Sequence, residues 1–303
     1  MEALKRKKRG VSQTAFHIML LPAVIIVIIY SYGPIAGLAI AFQDFLPANG
    51  WFGSKWIGFG NFEYLWHMPG VLQVLKNTFL IAIMKLVVGM VFPILMALLL
   101  NEVKSMVFKR SVQTIVYLPY FLSWVILSGI LIDILSPSGG IINVFLGTLH
   151  IKPIYFLGDE HWFRFILIAS HIWKEVGFDT IVYLAAILSI DKSLYEAAAL
   201  DGAGHLKKVW HVTLPGMRPI IVLLSVLALG NILNAGFDQI FNLYSPQVYS
   251  SSDILDTFVY RIGMQQMQYG VATAVGLFKS VVSLILISVS YFMAYKIADY
   301  RIF

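Results

Sequence analysis

The amino-acid sequence predicts an all-α integral membrane protein with six transmembrane helices, and three observations carry that reading. Mean hydropathy is +0.79. Of 303 residues, 59% are hydrophobic and only 13% charged, too little polar side chain to coat a soluble globule of this size. Six apolar stretches are long enough to cross about 30 Å of hydrocarbon as helices of roughly 20 residues. Lysine and arginine also gather in alternate connections, the asymmetry expected of a chain threaded through a membrane.

The first stretch, Phe16 to Ala41, follows a basic tail, residues 1–15, that carries Lys5, Arg6, Lys7, Lys8 and Arg9. A basic start, an apolar core and Ala39-Ile40-Ala41 imitate a cleavable signal peptide. The apolar run outlasts the usual core of about 7 to 15 residues, so it reads as an uncleaved first helix. Val71 to Leu100 and Val112 to Leu135 form the second and third spans, joined by a connection with Lys104, Lys109 and Arg110. Phe163 to Leu188 and Pro219 to Leu243 are the fourth and fifth. Residues 189–218 between them carry Lys192, Lys207, Lys208 and Arg218. Tyr269 to Ile297 is the sixth, with Lys296 and Arg301 at its end. Only Lys55, Lys152 and Arg261 occupy the opposite loops, which places both termini and residues 189–218 in the cytoplasm.

None of the stretches has the alternation of an outer-membrane barrel strand. With no tandem repeat or low-complexity linker, residues 1–303 read as one membrane domain. The net charge of +6 sits at membrane edges and calls for no nucleic-acid partner. Cysteine is absent, which removes disulfides, thiolate metal sites and thiol nucleophiles. No phosphate-cradling G-x-x-x-x-G-K-[ST] loop and no H-E-x-x-H zinc pair occur, and Gly58-Phe59-Gly60 lacks both a third glycine and the flanking strand and helix of a dinucleotide site. The chain is therefore expected to hold no metal or nucleotide and to catalyse nothing alone. Its outer loops, with Asn49-Gly50-Trp51-Phe52-Gly53, Ser136-Pro137-Ser138-Gly139-Gly140 and Tyr244-Ser245-Pro246, offer a rim for a soluble partner.

Polar side chains inside the spans are costly in lipid and should face other helices or a wet cavity. On a continuous fifth helix, Asn231, Asn234, Asp238 and Asn242 lie within roughly 60° of one another. Such a stripe suits hydroxyl-rich ligands, and Phe237 and Phe241 beside it suit stacking on a sugar ring; interhelical hydrogen bonding is the structural alternative. In the fourth span His171, Lys174, Glu175, Phe178 and Asp179 share a face. They read as a charge network around a water-filled path, a substrate cluster or a proton relay. Any ion pair of Lys174 is expected with a carboxylate on another helix. Lys85 needs an inward partner that the sequence does not name, and Lys279 stands isolated. Gly270, Ala272, Ala274 and Gly276 give the small-residue spacing of close helix approach.

Residues 189–218 form the long polar insert. Alanine and leucine favour helix through Leu200, Gly202 frees the backbone to bend, a short amphipathic piece follows, and Pro215 is expected to stop it. Glu196, Ala197, Ala198, Gly202, Leu214 and Pro215 fall at the spacing E-A-A-x3-G-x9-I-x-L-P, with Val212 in place of isoleucine. The segment thus resembles the EAA loop of ABC importer permeases; an ordinary amphipathic interfacial loop is the bland alternative. The resemblance extends to Leu118-Pro119-Tyr120-Phe121-Leu122-Ser123-Trp124, to Asn231 through Asn242 and to Thr273 through Ser280, which look like bacterial permeases for polysaccharide-derived sugars, similar to the maltose permease.

That resemblance implies a subunit of the bacterial cytoplasmic membrane that pairs with a second, related permease, two copies of a cytoplasmic ATPase and an extracytoplasmic solute-binding protein. ATP and Mg²⁺ would be bound by the ATPase. Glu196, Ala197, Ala198, Asp201, Gly202, Ala203, Leu214 and Pro215 would form coupling helices docked in an ATPase cleft. Tyr120, Trp124, Lys174 and Glu175 would join Asn231, Asn234, Phe237, Asp238, Phe241 and Asn242 along the path of an oligosaccharide imported by alternating access. An ion-coupled carrier built on the charges at 171–179 is the alternative; it has no use for the elbow and would want an inverted repeat. A membrane enzyme is weaker still, for want of an ordered nucleophile and base.

Overall fold

The computed structural model describes residues 13–298, so Lys5, Arg6, Lys7, Lys8, Arg9 and Arg301 lie outside the described residues. Helix α1 (Phe16–Phe42) loosens into a π-helical turn at Ile28–Tyr32 and tightens to 3₁₀ geometry at Gly33–Phe42. A hairpin of β1 (Gln43–Asp44) and β2 (Lys55–Trp56) follows. Gly58, at φ +59°, turns the chain into α2 (Gly60–His67). A two-residue strand and a helix therefore do flank Gly58-Phe59-Gly60, contrary to expectation, but the third glycine is still missing.

Next come α3 (Val71–Glu102), α4 (Met106–Phe121), α5 (Trp124–Leu135), α6 (Ile141–Thr148) and α7 (Glu160–Leu188). The second half holds α8 (Lys192–Leu200), α9 (His205–Gly230), α10 (Phe237–Leu243), α11 (Leu255–Tyr260) and α12 (Tyr269–Ala298). Among the described residues α1, α3, α9 and α12 are long and apolar enough to cross a membrane, with the bent α4–α5 pair a fifth candidate. Helix α7 has the length, but Lys174, Glu175 and Asp179 in its middle keep it out of that group.

Three expectations need correction. Val112 to Leu135 is not one straight span: α4 and α5 meet at 104°. Pro119 lies in the closing 3₁₀ turn, Leu122 is extended, and the Ser123 side chain accepts the Ile126 N–H to start α5 afresh. Pro219 to Leu243 is not one helix either, because α9 ends at Gly230 and α10 begins only after Gly236, whose φ is +92°. Pro215, finally, does not stop its helix. A π-helical turn at Val209–Thr213 carries the chain through it and onward to Gly230 as one rod. Widening the preceding turn makes room for the pyrrolidine ring and for the missing donor.

Helices α3 and α7 pack along one another and form the axis of the fold. At one end Ile81 and Ala82 meet Phe163, Ile166 and Leu167 together with Ala235 and Ile240; at the other Ala97 meets Tyr183, Leu184, Ile187 and Met217. A third cluster joins α2, α11 and α12 through Leu65, Phe258, Ile262 and Val275. Lipid tails are as apolar as leucine, so close fit rather than water exclusion holds such contacts. Gly177 marks the tightest of them, since a Cβ there would lie 2.2 Å from the Val116 carbonyl oxygen on α4.

Candidate functional site

Between α3, α7 and the interruption separating α9 from α10 lies a cavity of about 430 Å³. Helix α7 contributes His171, Glu175 and Asp179; α3 contributes Lys85; the interruption contributes Asn231, Asn234 and Gly236, with Trp124 and Gln239 beside them. Carboxylates accept, amides do both, and an ammonium only donates, so this wall offers hydrogen bonds of both senses to a hydroxyl-rich guest.

The polar face expected in the fourth span divides in two. His171, Glu175 and Asp179 face the cavity, whereas Lys174 and Phe178 turn toward the α4–α5 bend. The Lys174 Nζ donates to the Tyr120 carbonyl at 2.6 Å and lies over the Tyr120 and Trp124 rings at 5.1 and 5.7 Å. Phe178 stacks on Tyr120 with centroids 4.1 Å apart. The expected partner on another helix is therefore wrong: the carboxylate near Lys174 is its own neighbour Glu175, at 3.9 Å, and its closer acceptor is a backbone oxygen. Bending the chain at Leu122 freed that oxygen, and in a membrane a freed carbonyl must find a donor inside the protein.

The second break repeats the solution. Lys85 Nζ donates to the Ala235 carbonyl at 2.7 Å and to Gln239 Oε1 at 2.5 Å, while Gln239 Nε2 donates to the Leu167 carbonyl and to Ser170 Oγ, both at 2.8 Å. This knot names the partner that the sequence left open for Lys85. Gly236 belongs to it as well, because a Cβ there would sit 2.5 Å from Lys85 Nζ. Lys279, expected to stand alone, pairs with Asp256 at 2.5 Å.

The break also dissolves the single stripe in the fifth stretch. Asn231 and Asn234 line the cavity; Asp238 is exposed on α10, and its carbonyl accepts the Asn242 side-chain amide at 2.7 Å. Phe237 and Phe241 stack at 5.1 Å, and Tyr260 covers Phe241 edge-on at 4.8 Å. Asn234 and Phe237 border a second, open groove of about 690 Å³ along α11 and α12. Beyond it Arg261 pairs with Asp253 and covers the Tyr249 ring at 4.6 Å. Burial, reinforced by Tyr249, pushes the Tyr244 hydroxyl up to about 12.

At the opposite end of α9, α8 closes with two reciprocal bonds, Gly202 N–H to the Ala199 carbonyl at 3.1 Å and Ala203 N–H to the Ala198 carbonyl at 2.9 Å. This Schellman closure requires a left-handed residue, and Gly202 has φ +74°. Glu196, Ala197, Asp201 and Pro215 are exposed, while Ala198, Ala203 and Leu214 are half-buried. Leu200, Leu206 and Trp210 stand out around the turn at 90%, 74% and 68% exposure. The Tyr195 hydroxyl meets Thr213 Oγ1 at 3.0 Å, tying α8 to the base of α9.

Sequence reasoning missed Gln239 and Gly236, the residues that organise the cavity wall. The available signal was a glycine amid asparagines in an otherwise apolar run, which marks a break as readily as a helix.

Three comparisons bear on this arrangement. The family described as "Binding-protein-dependent transport system inner membrane component" matches residues 89–303. The polygalacturonan/rhamnogalacturonan transport system permease protein YteP of Bacillus subtilis (strain 168) is 40% identical over 99% of this chain and 94% of its own length. Protein LplB of the same organism is 40% identical over 98% and 91%. Among solved structures, a chain of a bacterial alginate ABC transporter in complex with an alginate pentasaccharide-bound periplasmic protein superposes with a TM-score of 0.89 at 40% identity, covering 96% of this chain and 97% of that one.

Proposed function

This chain belongs to the binding-protein-dependent transport system inner membrane components, and from that premise we propose that it carries a polysaccharide-derived oligosaccharide through the membrane by alternating access. It is a transport subunit and not an enzyme. The observation that carries the oligosaccharide reading is the cavity wall: Asn231, Asn234, Glu175 and Asp179 converge there, and Phe237 opens onto the adjoining groove. Relatives named for polygalacturonan, rhamnogalacturonan and alginate support the same substrate class.

In this reading the chain acts as one domain of six spans, with α7 and the bent α4–α5 pair completing the set and both termini in the cytoplasm. The Gly202 turn docks on an ATPase that binds ATP and Mg²⁺; Leu200, Leu206 and Trp210 supply its apolar contact. Two ATPase copies and a second permease complete the complex, and a solute-binding protein delivers the sugar at the far end. Because α9 runs unbroken from the turn to the cavity, displacement at the ATPase reaches Asn231 through one rigid element.

Reconstituted complex with ATP inside the vesicles should take up oligosaccharide undiminished by a protonophore. Uptake that collapses with the gradient while ATP persists would restore the ion-coupled carrier and remove this reading.

A further inference from the structure

The interruption between α9 and α10 divides the molecule mechanically. On one side α9 packs chiefly against α12 and leads to the Gly202 turn; on the other α10 packs against α5 and is tied by Gln239 to α7. Asn231 and Asn234 occupy the short segment between, where no regular helix fixes their direction. Their orientation depends on whatever holds that segment's backbone. Its one carbonyl bonded to a charged side chain, among the described residues, is that of Ala235, immediately after Asn234.

We propose that Lys85 is a positioning residue for transport: through the Ala235 carbonyl and Gln239 it fixes the unwound segment to the α3–α7 pair, so that Asn234 presents its amide to the cavity. The proposal rests on the reading of the cavity as the sugar path. Three features support it. Lys85 is 8% exposed and Gln239 fully buried, so little water reaches either bond although both residues border the cavity. The bonds radiate from one centre to three elements, α3, α10 and α7, which fixes a position rather than a distance. A methyl group on Gly236 would lie 2.5 Å from the ammonium, closer than the two can approach, so the break admits the lysine in this position because residue 236 has no side chain. Glu175, His171, Asp179 and Tyr183 are the titratable groups facing the same cavity from α7. Among the described residues Lys85 forms no ion pair, and the clamp is made by two neutral oxygens, the Ala235 carbonyl and Gln239 Oε1.

Because this chain has no cysteine, a single introduced thiol is the only one it carries, and its labelling is read on this chain after separation from its partners. Asn234→Cys and, separately, Asp179→Cys would be labelled with a small hydrophilic methanethiosulfonate reagent in membranes holding the intact complex, each with Lys85 and with Lys85→Met. Both thiols should react when Lys85 is present. With Lys85→Met, labelling at 234 should fall at least about tenfold, the population shift expected when a charge-assisted bond is lost, while labelling at 179 stays within about twofold. Lys85→Arg should recover part of the loss. Equal labelling at 234 with and without Lys85 overturns the positioning role, and so does a parallel loss at both sites, which marks general loosening. An unreactive thiol at 234 with Lys85 in place, beside a reactive one at 179, overturns the assignment of Asn234 to the cavity itself. Co-purification with the partner subunits establishes that each variant is assembled.

Discussion

Helix α7 and the stretch from Leu214 to Leu243 invert what hydropathy alone would suggest. Helix α7 carries Arg164, Lys174, Glu175 and Asp179 and runs unbroken for 29 residues. The stretch after Leu214 carries far fewer charges and breaks in the middle. Charge does not break a helix, because it acts at the end of a side chain; backbone preference does, and Asn231, Asn234 and Gly236 all accept non-helical geometry. In lipid such a break persists only if its carbonyls find donors, and the unbroken α3–α7 pair supplies them through Lys85 and Lys174. The charged pair and the broken segments are therefore two halves of one arrangement.

Substitutions that put bulk at the two critical glycines test this contrast most severely. Gly236→Val demands a β-branched residue at φ +92° and places its Cβ 2.5 Å from Lys85 Nζ, so transport should fall to background while the complex still assembles around α7. Near-normal uptake would show that the break needs neither the glycine nor the lysine. Gly177→Ala acts on the continuous partner. Its Cβ meets backbone that cannot rotate away, and overpacking of that kind costs about 1 to 3 kcal/mol, readable as a lowered unfolding midpoint of the purified complex. An unchanged midpoint would mean that α4 slides freely past α7.

A smaller effect is expected from Asn234→Ala. Loss of one or two sugar hydrogen bonds, each worth about 0.5 to 1.5 kcal/mol net, should raise the half-saturation concentration several-fold and leave assembly intact. No change in uptake would remove Asn234 from the path. The smallest effect concerns the start of α7. The backbone N–H groups of Trp162 and His161 hold the Asp159 carboxyl below its usual range. A depressed folded value means that the cap's stabilisation is complete above the unfolded carboxylate range, about pH 4, and is lost as pH falls through the folded value. Asp159→Asn keeps an acceptor without a charge, so it should flatten the acid limb of a stability profile slightly. An identical acid limb in both proteins would show that this cap does not contribute.

Much of the fold was legible in the sequence because apolar length and the E-A-A-x3-G spacing are local properties. Phe16 to Ala41, Val71 to Leu100 and Tyr269 to Ile297 each became a helix close to those limits. Gly202 took the left-handed turn that its position implied. Breaks were harder to read: Leu122 interrupts an apolar run, and the asparagines around Gly236 fit one polar helix face as readily as a break; proline misled as well, marking no stop at Pro215. For the candidate site, Asn231, Asn234 and Glu175 were found from the cost of polar groups in lipid. Asp238 and Asn242 were misplaced, because a helical wheel assumes a helix. Gln239 escaped notice because its partners are a lysine distant in sequence and a carbonyl exposed only by the fold.

The load of ionic groups on α7 also bears on how this protein is made. Each aspartate, lysine or arginine near the centre of a helix opposes its entry into the bilayer by about 2.5 to 3.5 kcal/mol, so α7 is a poor candidate for insertion one segment at a time. Helices α1 and α3 leave the ribosome earlier and are apolar enough to settle alone. Helix α7 gains its closest neighbour from α3, but the carbonyl that Lys85 binds emerges some 150 residues after that lysine. During synthesis Lys85 therefore stays unbonded to Ala235 until the last third of the chain arrives.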